Sequence, residues 1–169
     1  MPDSQTALTA YSPLWPAIFD LERRRLLEIF DHAVVVEHIG STAVPGLGAR
    51  PIIDMMMGAH DLAQIEARIP ALEAEGYRYV KDFETSIPER RYFTKMDVPP
   101  GKFQLHAVAL DSPFWKRHLA FRDALRADPV LASKYWRLKQ HLAARLRDDR
   151  GAHADAKGEF IRRALAGWR

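Results

Sequence analysis

The chain has 169 residues, 47% of them hydrophobic and 28% charged, which sets the expectation of one globular domain with a sizeable core. It contains no cysteine, and this excludes disulfides, thiolate metal sites and a cysteine nucleophile. The net charge of +3 is uneven: Met1 to Trp115 carries 11 basic and 16 acidic residues, and Lys116 to Arg169 carries 14 and 6. The basic last third suits a phosphate or nucleic-acid partner, although solvated arginine-rich helix faces are the better explanation of charge alone.

In chain order, MPDSQTALTAYS lacks the basic and apolar regions of a signal peptide, and no apolar run reaches membrane-spanning length. A cytoplasmic location is the default expectation. Ser12-Pro13 reads as an N-cap and first helical position, opening a helix to about Phe30 whose apolar stripe includes Glu22. AVVVEHI (33–39) and PIIDMMM (51–57) read as strands joined by a Gly/Pro-rich loop. Asp61 and Gln64 predict a capping box for one helix ending before Gly76. YRYVK, RRYFTKM and KFQLHAVAL read as three more strands, the last entered through a Pro-Pro-Gly turn. Ser112-Pro113 and Asp128-Pro129 then open helices of roughly 113–126 and 129–147, and a final helix covers about 154–167. The order predicts an α+β or mixed α/β domain, with a helix-plus-sheet core over 1–111 and a helical subdomain over 112–169.

Two features of this plan are not explained by packing. Gly40-Ser41-Thr42 follows a strand directly, where glycine allows close backbone approach and neighbouring N–H and hydroxyl groups suit phosphate oxygens. Asp54 places a carboxylate inside an otherwise apolar strand, so it must be paired, face a cleft or bind a cation such as Mg²⁺. The turn is neither a Walker loop nor a GxGxxG dinucleotide turn. Arg122, Lys139 and Lys157 lie on or beside the apolar sides of their helices by spacing, which suggests inward-facing charge.

YSPLWPAIF, HIGSTAVPGL, PIIDMMM, EGYRY, PERRYF, LHAV, FRDALR, YWRLK and KGEFI, in this order, are very similar to the signature of the GrpB family, and the resemblance covers nearly the whole chain. That family belongs to the nucleotidyltransferase superfamily with the polymerase-β-like fold. The resemblance implies a mixed β-sheet with flanking helices and a helical C-terminal part. It implies that Gly40, Ser41 and Thr42 hold a triphosphate, that Asp54 binds the metal, and that Lys139 and Lys157 reach the phosphates from the helical part. Arg122 either joins them or pairs with Asp123 or Glu22, a buried Glu22–Arg122 pair being about equally weighted. Arg50, where the family usually has Lys, reaches a phosphate or pairs with Glu37. Arg90 and Arg91 have strand-edge solubility as their simplest role. Met56 stands where the superfamily's second acid is expected, and His106 occupies the place of the later one. His106, with His38 or Glu37, is therefore a possible partner of Asp54 in a mixed site. The expected metal is Mg²⁺, with Mn²⁺ or Zn²⁺ as alternatives. The other histidines are expected to be structural, and His153 stands where the family often has Tyr.

Three functions compete. The first is Mg²⁺-dependent nucleotidyl transfer from a nucleoside triphosphate to an unidentified acceptor. The second is a non-catalytic nucleotide-binding or regulatory module on the same fold. The third is RNA binding through the basic helices, with Trp115, Phe121, Tyr135 and Trp136 stacking on bases; helical spacing makes most of these aromatics core, and this reading ranks last.

Overall fold

The computed structural model describes residues 7–97, 101–145 and 150–167. Helix α1 spans Trp15–Ile29. It starts later than Ser12-Pro13 suggested because that pair forms a turn. There the Ser12 carbonyl accepts from Trp15 N–H and its hydroxyl from Leu14 N–H, each at 3.2 Å. Pro16 takes the first-turn position instead. Strand β1 (Val35–Ile39) runs into a single 3₁₀ turn, Ser41–Ala43, and then strand β2 (Ile53–Ala59). Asp61 caps the next helix by accepting from Gln64 N–H at 2.8 Å. The one predicted helix here is two, α2 (Leu62–Glu66) and α3 (Ile69–Ala74), and Pro70, which has no N–H to continue the first, sits in the opening turn of the second.

Strands β3 (Arg78–Val80), β4 (Arg90–Lys95) and β5 (Phe103–Ala109) follow, then helices α4 (Pro113–Ala127), α5 (Pro129–Arg145) and α6 (Arg150–Gly167). The α4 and α5 starts match the sequence reading: Ser112 Oγ accepts from Trp115 N–H, and Asp128 Oδ1 from Val130 and Leu131 N–H. The expected Pro99-Pro100 turn and Trp168 lie outside the described residues.

The five strands form a mixed sheet in the order β1-β2-β5-β4-β3, with β2 and β5 parallel and the other pairs antiparallel. The fold is thus the expected mixed α/β one. Methionines 55, 56 and 57 are consecutive and each is 0% exposed, so the central strand is covered on both faces. That is why β2 reads as a continuous apolar run rather than an alternating one. Met55 and Met57 pack with Leu26, Phe93 and Leu105 beneath α1, while Met56 packs with Ile39, Val108, Phe114 and Trp115 beneath α4. A third cluster joins α4, α5 and α6 to the loop after the 3₁₀ turn through Val44, Leu47, Phe121, Leu125 and Tyr135. Among the described residues no helix is long and apolar enough to cross a membrane.

Glu22 is buried as its place on the apolar stripe required, but its partner is not Arg122. Lys95 Nζ donates to Glu22 Oε1 at 2.9 Å, and Tyr77 Oη donates to the same oxygen at 2.7 Å. Both charges are almost fully buried, on the α1 side of the sheet. Arg122 is on α4, which packs on the opposite side, so the sheet stands between it and Glu22.

Candidate anion-binding site

Asp54, Met56, Gln104, His106, Arg90 and Tyr92 share one sheet face, by strand alternation and the register Met56↔His106↔Tyr92. Met56 lies under α4, but Asp54, two residues earlier, lies beyond that cover with its carboxylate 31% exposed. The chain leaves the neighbouring strand through Gly40, at φ 73° and ψ −172°, a region open essentially to glycine alone. A Cβ at Gly40 would lie 2.8 Å from Asp54 Oδ2. The glycine is therefore required both by its backbone and by the carboxylate beside it. Gly40→Ala is expected to cost about 1–3 kcal/mol in urea unfolding and to displace Asp54. Gly46→Ala, at φ 82° with open space above it, carries the backbone strain without the collision and serves as the control.

Helix α5 delivers the first cation. Lys139 Nζ donates to Ser41 Oγ at 2.6 Å and to the Gly48 carbonyl at 3.1 Å. One turn earlier on the same helix face, Trp136 covers Gly48 so closely that a Cβ there would meet the indole at 2.5 Å. Burial pulls the Lys139 ammonium down to about 7, with the charges of Lys157 and Arg50 adding to the fall and Asp54 opposing it. Lys157 on α6 is also held below the ordinary lysine value, first by burial and then by Arg50, with Asp54 again opposing. Arg50 itself is exposed. Burial and the Asp54 charge push the Tyr135 hydroxyl up to about 12, while Ser41 and Arg50 act the other way. The Gly40-Ser41 turn thus meets Asp54 of β2 on one side and Lys139 of α5 on the other, with Lys157 of α6 near enough to act on Lys139 by charge. The charge of one carboxylate, Asp54, is felt at both Lys139 and Lys157, where the Arg50 charge acts against it.

Beside Asp54, His106 has both ring nitrogens engaged. Arg90 Nη1 lies 3.2 Å from Nδ1, and Asp54 Oδ1 lies 3.5 Å from Nε2. A guanidinium can only donate, so Nδ1 is the acceptor and Nε2 carries the proton directed at Asp54. This corrects the expectation of His106 as a metal ligand: ligation through Nε2 would require the proton on Nδ1, facing the Arg90 donor. Among the described residues no group of three or more His, Asp or Glu side chains is placed to hold a metal. Mg²⁺ fits only in the manner of a single carboxylate completed by phosphate oxygens and water.

Two further expectations, for His38 and Thr42, are corrected, and the alternatives left open for Arg122, Arg50 and the helix aromatics are narrowed. His38 pairs with Met55 across the sheet and so points to the face opposite Asp54. It is buried, stacked on Phe19 at 4.6 Å and bonded to Thr42 Oγ1 at 2.8 Å, and burial draws its imidazole down to about 4. It is a core residue, not a metal ligand. Thr42 is buried by the same contact, which removes its hydroxyl from any phosphate site. Of the roles open to Arg122, the structure shows the pair with Asp123: it donates to Asp123 Oδ1 at 2.9 Å, and also to Glu37 Oε2 at 2.6 Å and the His38 carbonyl at 3.2 Å, so it fastens α4 to β1 rather than facing a ligand. Glu37 is consequently taken, and the Arg50–Glu37 pair is not formed. Trp115, Phe121 and Tyr135 are buried, as their helical spacing predicted, which among the described residues leaves only Trp136 of the four partly open to a base.

Sequence reading missed Arg126, which donates to the Ala43 carbonyl at 2.8 Å one turn after Arg122. It weighed Tyr135 only as core or as a base-stacking aromatic, although the i,i+4 spacing to Lys139 places both on one helix face. A cavity of about 700 Å³ is lined by Tyr11, Leu47, Gly48, Leu125, Arg126 and Trp136 among others. Neither Asp54 nor Lys139 lines it, so it is separate from the charged cluster.

The family model described as GrpB protein matches residues 5–166. The Bacillus subtilis (strain 168) protein called UPF0157 protein YqkA is 34% identical over 167 residues, covering 96% of this chain and 47% of its own length. The chain therefore spans about half the length of that relative. The crystal structure of conserved protein GrpB from Enterococcus faecalis has a TM-score of 0.81 at 33% identity, covering 95% of this chain and 98% of that one. A cytoplasmic RNA terminal U-transferase shares the fold at a TM-score of 0.56 and 15% identity, covering 80% of this chain and 42% of that chain.

Proposed function

The chain belongs to the GrpB family, and we propose that it binds a nucleoside triphosphate at the Asp54–Lys139 cluster with one divalent cation, Mg²⁺. The observation that carries this reading is the charge balance of the cluster. Two-metal phosphoryl-transfer sites are built around several carboxylates that hold the ions. Here the balance is reversed: one acid, Asp54, adjoins the Gly40-Ser41 turn that Lys139 bonds at 2.6 Å, and the charges of Arg50 and Lys157 act on that same lysine. Such a site suits a ligand that is itself strongly anionic, with at most one metal.

Ser41, Lys139, Lys157 and Arg50 would hold the phosphate oxygens, and Asp54 would hold the metal-bound end of the chain. Bound there, Mg²⁺ supplies charge neutralisation and fixes the phosphate geometry. The Gly40 turn lets backbone and ligand approach the carboxylate without a side chain between them.

Isothermal titration of the protein with ATP, with and without Mg²⁺, tests this directly. Wild type is expected to bind more tightly with Mg²⁺. Asp54→Asn loses that enhancement but binds metal-free ATP at least as well as wild type, because the change removes the one negative charge. Absence of any binding at millimolar ATP in wild type would sink the proposal.

Nucleotidyl transfer is the second reading, favoured by the Gly40-Ser41 turn placed against a strand carboxylate. In that reaction an acceptor hydroxyl attacks the α-phosphorus, pyrophosphate leaves and the hydroxyl proton passes to water. Met56 counts against it. The position of a second acid is 0% exposed and packed under Phe114 and Trp115, so it belongs to the core and not to the cleft. Pyrophosphate release on adding acceptor hydroxyl compounds to the ATP complex is the discriminating measurement.

A further inference from the structure

Arg90 and Tyr92 are on the Asp54 face of the sheet, and the segment between β3 and β4 brings Phe83 over them. The Phe83 and Tyr92 rings meet edge-on at 6.2 Å, and the Arg90 guanidinium lies 4.7 Å from the Tyr92 centroid and 6.0 Å from that of Phe83. The row continues inward from Tyr92 to His106 at 5.2 Å, and His106 reaches Asp54. Tyr92 belongs electrostatically to the charged cluster as well: burial and the Asp54 charge push its hydroxyl up to about 12, with Arg90 and Arg50 opposing.

Phe83 is 49% exposed and is the one aromatic among the strongly exposed large hydrophobic side chains of the described residues. Its segment is not loosely placed. Glu84 accepts from Tyr79 Oη, Ile87 N–H donates to the Phe83 carbonyl at 2.9 Å, and Arg90 N–H donates to the Ile87 carbonyl at 3.1 Å. Ile87 packs into the core under α4. Arg90 is fixed by its bond to His106 Nδ1. An exposed ring, a cation and a second ring are therefore presented rigidly, two side chains away from the carboxylate of the anion site.

We propose that Phe83, Arg90 and Tyr92 form the platform on which the planar ring of the ligand stacks, so that the ligand of the Asp54–Lys139 cluster is a nucleotide and not an inorganic or sugar phosphate. The inference rests on the phosphate reading of that cluster. Aromatic and guanidinium faces bind any nucleobase through its π-face, whereas a triphosphate without a base gains nothing from them. The 700 Å³ cavity has neither Asp54 nor Lys139 in its lining, and so is the less direct seat for the ring.

Titrating the full chain in Mg²⁺ with ATP and, separately, with inorganic tripolyphosphate tests the platform. Wild type is expected to bind ATP more tightly. Phe83→Ala weakens ATP by roughly five- to 150-fold, the measured range for loss of one aromatic–base stack, and leaves tripolyphosphate unchanged. Phe83→Trp restores ATP affinity, which separates stacking from damage to the fold. Equal wild-type affinity for the two ligands, or an equal effect of Phe83→Ala on both, overturns the platform while leaving the phosphate site standing. Failure of both ligands to bind wild type overturns the phosphate reading and the platform with it.

Discussion

Lys95→Met is expected to lower stability by about 3–5 kcal/mol, the usual cost of removing one partner of a buried ion pair. The change leaves the Glu22 carboxylate in the core with Tyr77 as its one remaining close donor, and Arg25 at 3.5 Å from the other oxygen. The stem of Lys95 is not the issue, because methionine fills the space between the Tyr77 and Phe103 rings that the ammonium now covers. What is lost is the compensation for a desolvated charge. The double change Glu22→Leu with Lys95→Met removes both charges and is expected to recover most of the loss. Adding Tyr77→Phe removes the orphaned hydroxyl and recovers more. Urea unfolding of the series measures this, and a cost below about 1 kcal/mol for Lys95→Met would mean that water reaches the pair.

The second large effect concerns Lys139. In the free protein its ammonium titrates at about 7 because it is buried among other cations. An anionic ligand favours the charged form, so binding raises that value and the complex takes up a proton. The sign follows. Below pH 7 the lysine is already charged and adds no pH dependence. Above 7 the free protein must gain a proton to bind, so affinity falls by about tenfold per pH unit until the bound-state value is passed. Lys139→Arg remains charged throughout and is expected to bind with a flat profile between pH 7.5 and 9. Lys139→Met removes the cation and is expected to cost about 2–5 kcal/mol of binding free energy. Titration of wild type with tripolyphosphate at pH 8 in buffers of different ionisation enthalpy detects the proton uptake. A pH-independent wild-type affinity over this range would show that Lys139 does not contact the ligand.

Much of the architecture was legible because it depends on local signals. Ser112-Pro113 and Asp128-Pro129 announced α4 and α5, and their caps form as the residue types dictate. Glu22 was recognisably inward by helical spacing. Its partner was not, because 73 residues separate it from Lys95 and spacing along the chain carries no information on which strand lies beneath α1. The Glu22–Arg122 alternative failed for that reason. Similarly, Asp54 and Ser41 stood out as unlike their surroundings. The side to which His38 and Thr42 point follows only from the strand register, which pairs His38 with Met55. His106 illustrates a different limit. Its position beside Asp54 was expected, but its tautomer is set by Arg90 on another strand.

The contact between Lys139 and Ser41 spans 98 residues, and this has a consequence for synthesis. A nascent chain that has emerged only as far as β5 already contains the glycine turn and Asp54, yet α5 and α6, which supply two of the three cations, are still unmade or inside the ribosome. Long-range contacts of this kind form late. At that stage the turn and its carboxylate have little to offer an anion, and the binding proposed here would have to await the C-terminal helices.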